Sequence, residues 1–175
     1  MPETAAVRVG VTGHRDLAAP DAVAAAVDTV LSELAGGAPV TVVTSLAEGA
    51  DRLVAGRALA RAGGAIEVVL PLPVEDYRAD FPGSAEEFAG LLAVAASVQV
   101  VAGAAAGSRE AAYMAAGRAV VDRCDVLLAL WDEEPARGHG GTAEVVAYAR
   151  DRGRRVVVVP VVRAGQTASS EEGAS

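Results

Sequence analysis

The sequence predicts an α/β domain in three layers, a single unit with a mostly parallel sheet of about six strands flanked by helices. Short Val-rich apolar runs alternate with segments of helical period along the chain, the pattern of βαβ units whose sheet is buried on both faces. Each run ends in Gly, Pro or a polar turn. The 175 residues are 52% hydrophobic and 22% charged, with a mean hydropathy of +0.33, which suits one domain with a substantial core.

In chain order the strands are expected at residues 7–12, 40–45, 66–70, 98–101, 126–131 and 156–161, with helices between them at 21–35, 48–62, 84–95, 108–123 and 142–152. Asp21 after Pro20, and Ser84 ahead of Glu86 and Glu87, offer side-chain oxygens to the free N–H groups of a first helical turn. Gly36-Gly37, Gly63-Gly64 and Gly153 supply stops for the first, second and last helices. Residues 71–83 carry Pro73, Pro82, Glu75, Asp76 and Asp80 and read as an irregular surface crossover. The domain is taken as 1–163. Residues 164–175, small and polar, read as a disordered tail.

Composition excludes several classes of function. All 15 basic residues are Arg against 23 acidic ones, a net charge of −8 that repels a phosphate backbone, so DNA is an unfavourable partner. Without Lys there is no P-loop lysine, kinase strand lysine or pyridoxal Schiff base. Aromatics are 3%, too few for a face of stacked rings on RNA. The single Cys124 cannot form an internal disulfide or a Cys-rich zinc site, and no metal cluster or cofactor is expected. No run of about 18 apolar residues and no signal-peptide pattern is visible, so the chain reads as soluble and cytoplasmic, away from membranes.

In an open parallel sheet ligands bind beyond the carboxyl ends of the strands. Three loops there concentrate Gly and polar residues. The first holds Gly13, His14 and Arg15; Gly13 lets a ligand approach backbone and Arg15 offers a fork for phosphate or carboxylate, or else this is a tight turn with a solvated Arg. Its Gly10-x-x-Gly13 falls short of the G-x-G-x-x-G dinucleotide fingerprint. In the second loop Ser45 is a candidate cap and Gly49 a point of anion approach. Asp51 either complements a helix N-terminus or contacts a ribose or base. The third loop contains Gly138, His139, Gly140, Gly141 and Thr142, a nest of N–H groups for phosphate oxygens opening a helix that carries Glu144. On the preceding helix Arg109 is placed to reach a phosphate and Tyr113 to stack on a base, or else Tyr113 is half-buried against the sheet and the arginines are solvated, while Trp131 suits core or pocket wall.

T-G-H-R after the first strand, T-S-L-A-E-G-A-D after the second and G-G-T-A-E opening the last helix together resemble the SLOG superfamily, over about residues 7–162. This Rossmann-like group includes the Lonely Guy phosphoribohydrolases, DNA-processing protein A and the N-terminal region of the TRP melastatin channels. Gly141-Thr142 match the G-T of P-G-G-x-G-T-x-x-E, and the two-glutamate form G-T-L-E-E sets its first Glu at Glu144. Arg137-Gly138-His139-Gly140 stands where that motif has P-G-G, and Arg118 lies nearest the family's helix arginine. The resemblance implies a sensor-type domain binding a nucleotide-derived small molecule, assembled as a homodimer or higher homo-oligomer. Its alternative implication is a phosphoribohydrolase cleaving the N-glycosidic bond of a nucleoside 5′-monophosphate, with Glu144 and Arg118 catalytic and His14 or His139 protonating the leaving base.

Overall fold

The computed structural model describes residues 4–101, 107–135 and 141–165. Its strands are β1 (Val7–Gly13), β2 (Val40–Thr44), β3 (Ala65–Leu70), β4 (Ser97–Val100), β5 (Val126–Trp131) and β6 (Arg155–Pro160). Between them run α1 (Pro20–Ala35), α2 (Ala50–Leu59), α3 (Val74–Arg78), α4 (Ala85–Ala93), α5 (Arg109–Asp122) and α6 (Thr142–Asp151). Every pairing is parallel, in the order β4-β3-β2-β1-β5-β6. This is a single Rossmann-like α/β domain, with every element within about three residues of its expected bounds except one.

Alternation along the strands builds the layers. Val9, Val42, Val68 and Leu128 point to one face, where α1, α2 and α4 cover them with Val27, Leu31, Val54 and Phe88. Val43, Val69, Leu127 and Ala129 point to the other, under Val120 and Val121 of α5 and Val145 and Val146 of α6. Burying each such side chain contributes about 1.5–3 kcal/mol.

The exception is residues 71–83. Far from an irregular surface crossover, they contain α3 and two fully buried rings, Tyr77 and Phe81. Tyr77 and Phe81 are four residues apart and share a side, while Glu75 and Asp76 stay exposed. Tyr77 meets Phe81 edge to face, centroids 4.9 Å apart, Phe88 of α4 at 5.6 Å and Tyr113 of α5 at 6.0 Å, so four of the six aromatics of the chain form one cluster.

Capping also differs from expectation. α1 begins after Ala19, which lies in the left-handed region, and Asp21 sits in the first turn without accepting a capping bond. Ser84 precedes α4, but its hydroxyl accepts from Arg52 Nη1 at 2.7 Å and donates to Glu48. Ser45 is too far upstream to cap α2, whose first residue follows Gly49.

The two sheet edges are unlike. β6 begins at the exposed Arg155 and ends at Pro160, and beyond it Arg163 bridges to Leu17. All four residues of β4 are exposed. No helix among the described residues is long and apolar enough to cross a membrane.

Candidate functional site

The crossover from β1 leads to one side of the sheet and that from β5 to the other, so the strand order reverses between these two central neighbours. Beyond their carboxyl ends opens a cleft of about 330 Å³, at the lower end of the ~300–1,000 Å³ usual for ligand sites. Its floor is Val11, Ala116, Val120 and Val145; its polar groups come from the loops after β1, β2, β5 and β6.

The β1 loop is locked on both sides. His14 N–H donates to Leu130 O of β5 at 3.2 Å, and His14 O accepts from Ala50 N–H at the start of α2 at 3.0 Å. That packing explains the two glycines. A Cβ on Gly13 would stand 2.5 Å from Ala50 Cβ and 2.7 Å from Leu130 O. Gly49 has φ +77°, and a Cβ there would collide with the Arg15 carbonyl. The backbone that approaches Gly49 is therefore the β1 loop itself, and Gly49 does not line the cleft.

His14 Nε2 lies 2.9 Å from Asp132 Oδ1, and Asp132 Oδ2 lies 2.8 Å from Arg163 Nε. The Asp132 N–H is also 3.2 Å from Nε2, so it bonds that nitrogen only when the nitrogen carries no proton. Both side chains are about nine-tenths buried. Burial alone would raise the Asp132 carboxyl; the Glu134 N–H, His14 and Arg163 outweigh it and hold the carboxyl below its usual range. A His anchored through one nitrogen on a carboxylate has a fixed ring orientation.

Across the cleft, Asp51 is 7% exposed and accepts from Ala47 N–H at 3.2 Å, with the Thr44 hydroxyl and Ser45 N–H on the same carboxylate. Burial pushes it up; these donors and the Arg15 charge pull it part of the way back, leaving a value of about 6. The loop that holds it is strained: Leu46 is fully buried at φ +56°, and Glu133 beside Asp132 has φ +62°. Non-glycine residues in that region cost about 1–3 kcal/mol and gather at functional sites.

Arg15 places its guanidinium 5.6 Å from the ring centroids of both Phe81 and Tyr113. Tyr113 lines the cleft and donates its hydroxyl to Asp80, which also pairs with Arg109 at 2.7 Å. Arg109 is thereby tied to the segment after α3 and not directed at the cleft. Trp131 closes the β5 loop by donating Nε1–H to Glu134 O at 3.1 Å and forms cleft wall.

Of the residues singled out in the sequence, Gly13, His14, Arg15, Ser45, Asp51, Tyr113, Gly141 and Thr142 line this one cleft. Gly141 precedes α6 in extended conformation as its N-cap residue and, having no side chain, gives that helix no side-chain cap of its own. Thr142 is therefore its first residue and not its cap. Glu144 lies in the first turn of α6 and is not among the lining residues. Arg118 is exposed, its guanidinium 5.5 Å from the Tyr148 ring on α6, outside the cleft. Gly140 and His139 lie outside the described residues. Among the described residues no group of His, Cys, Asp and Glu could hold a metal ion.

Sequence reasoning passed over Asp132 as a ligand of His14, Arg163, Tyr77 and Glu134. Arg163 had a signal: it lies three residues beyond the last strand, at the sheet end where sites form. Tyr77 was concealed by its acidic neighbours. No protein-family model matches the chain and no curated protein matches it, so the residues and their geometry carry the functional argument.

Proposed function

We propose that this domain binds a nucleotide or nucleotide-derived small molecule in the cleft between β1 and β5. The observation that carries the reading is the convergence there of two guanidinium groups, a buried carboxylate and an aromatic ring beside the N-terminus of α6. Phosphate fits the amide end of α6 at Gly141 and Thr142, with Arg15 as the charged fork. Asp51 suits hydroxyl or amine donors of a ribose or base, and Tyr113 a base face. The test is calorimetric titration with nucleoside mono- and diphosphates, ADP-ribose and cyclic nucleotides. A ligand from this panel is expected to bind, with Arg15→Ala weakening it about 10- to 100-fold through loss of a charge-assisted contact. Absence of binding by the whole panel overturns the reading.

The His14–Asp132 pair favours a second reading, cleavage of an N-glycosidic bond. Water adds to the anomeric carbon as the bond to the base breaks, protonated His14 gives its proton to the departing base, and the proton lost by the water restores the imidazolium. Free base released from a nucleoside 5′-monophosphate, and lost in His14→Ala, supports it; intact nucleotides after prolonged incubation exclude it.

A further inference from the structure

We propose that Tyr77 reads the base of the ligand: its hydroxyl donates a hydrogen bond to the edge of a nucleobase lying on Tyr113, and Asp51 accepts from the neighbouring N–H of that edge. The proposal rests on the nucleotide reading and narrows it to ligands whose base offers an acceptor beside a donor.

The Tyr77 hydroxyl is out of place in its surroundings. Tyr77 is 1% exposed, and its ring packs against Phe81, Phe88 and Tyr113 with centroids 4.9, 5.6 and 6.0 Å away. Phenylalanine fills the neighbouring places at 81 and 88, and a hydroxyl taken from water without a partner is a cost. Yet the Tyr77 hydroxyl makes no hydrogen bond to any described residue. Nor is its oxygen sealed inside the protein: Tyr77 lines the cleft, and the hydroxyl is the part of it that reaches there. The core therefore fixes the ring and leaves its polar end to whatever occupies the cleft, a donor oriented before the ligand arrives.

Asp51 supplies the other half. After burial, its charge is the strongest influence on the Tyr77 phenol; both push the phenol above its usual range, so it meets a ligand as a donor. The Thr44 hydroxyl accepts from Leu46 N–H at 3.0 Å and is left to give its own proton to Asp51, which also accepts from the Ala47 and Ser45 N–H groups. A carboxylate takes about four donors, so one acceptor position remains for the cleft. One donor beside one acceptor matches the edge of a base, where an N–H stands next to a carbonyl or an unprotonated ring nitrogen.

The layout of the cleft fits that assignment. Asp51 and Tyr77 follow β2 and β3, whereas Gly141 and Thr142 follow β5, so base edge and phosphate fall at opposite ends. The Tyr77 ring is inclined at 57° to Tyr113, so a base stacked on Tyr113 meets Tyr77 through its edge and does not stack on both rings.

The test is calorimetric titration of the wild-type chain and of Tyr77→Phe with AMP, GMP, CMP, UMP and ADP-ribose, with ribose 5-phosphate measured by competition. Tyr77→Phe keeps the ring and its packing, and without ligand it is expected to keep the wild-type melting temperature. It should bind the nucleotide preferred by the wild type about 3- to 10-fold more weakly, the loss of one neutral hydrogen bond. Ribose 5-phosphate, which has no base, should compete equally in both proteins. Unchanged nucleotide affinity in Tyr77→Phe overturns the proposal and leaves the nucleotide reading standing. An equal loss for ribose 5-phosphate also overturns it, by placing the hydroxyl on sugar or phosphate, as does a lower melting temperature without ligand, which would give the hydroxyl a partner in the protein. A wild-type chain that binds none of these compounds overturns the nucleotide reading and this proposal together.

Discussion

Asp51 is a carboxylate that its surroundings make costly to ionise, and the sign of that cost is testable. Its folded value of about 6 lies above the ordinary aspartate value of 3.8, so between these values the native state binds more protons than the unfolded chain. Stability therefore falls as pH rises from about 4 to about 6 and is flat above. The shift corresponds to about 3 kcal/mol at pH 7, as an order of magnitude. Asp51→Asn should abolish this slope in urea denaturation at pH 4 to 7 and leave the protein at least as stable as wild type at pH 7, while weakening ligand binding. An unchanged slope would show that another group titrates. Gly49 makes the opposite case, a residue with no polar chemistry whose replacement is severe. Its φ of +77° and the Arg15 carbonyl beside its missing Cβ combine strain with overlap. Gly49→Ala should cost about 3 kcal/mol, read from the denaturation midpoint at unchanged m-value.

At the level of elements, strands and long helices were legible because their signals are local: Val-rich runs of five or six residues, helical period, glycine stops. The segment around α3 was not, because Pro73, Pro82 and three acids signal a surface loop while the two residues that matter, Tyr77 and Phe81, are separated by one helical turn. What those rings do cannot be read locally either. Phe81 lies under the guanidinium of Arg15 at 5.6 Å and of Arg52 at 4.7 Å; Arg52 is buried and bonds Leu46 O at 3.0 Å, holding the strained β2 loop that carries Asp51. The aromatic cluster is thus both core and support for the cleft. Phe81→Ala is expected to cost about 3–5 kcal/mol and to weaken ligand binding beyond what the loss of fold explains. Phe88→Leu, which keeps volume in the core and leaves Phe81 under both arginines, should cost less than about 1.5 kcal/mol and spare binding. Equal effects on binding in the two variants would mean that the cluster acts through stability alone.

Across the whole molecule, the cleft is made by crossovers that bring remote residues together. The chain of contacts His14, Asp132 and Arg163 ties the ends of β1, β5 and β6, joining residues more than a hundred positions apart, and the antiparallel bridge Leu17–Arg163 reinforces it. The sheet-end rule located the loops from sequence alone, whereas the pairing inside them depends on strand order: β5 returns from the far edge to lie beside β1, and no local pattern announces that. The same geometry makes these three side chains one unit. The Asp132 carboxyl is held below its usual range, so its contribution to stability is complete above its unfolded value near 3.9 and is lost as pH falls through the lower folded value. Asp132→Asn should therefore lower stability at pH 7 by about 3 kcal/mol and flatten the acid limb of the stability curve below about pH 4. Arg163→Met should cost less alone, and the double variant should cost less than the sum, with a coupling of about 1–3 kcal/mol. Additivity would mean that Asp132 and Arg163 stabilise separate parts of the protein. Coupling, together with a His14 imidazole whose proton exchange quickens in Asp132→Asn by NMR, would establish that the loops after β1, β5 and β6 close the cleft as a single polar clasp.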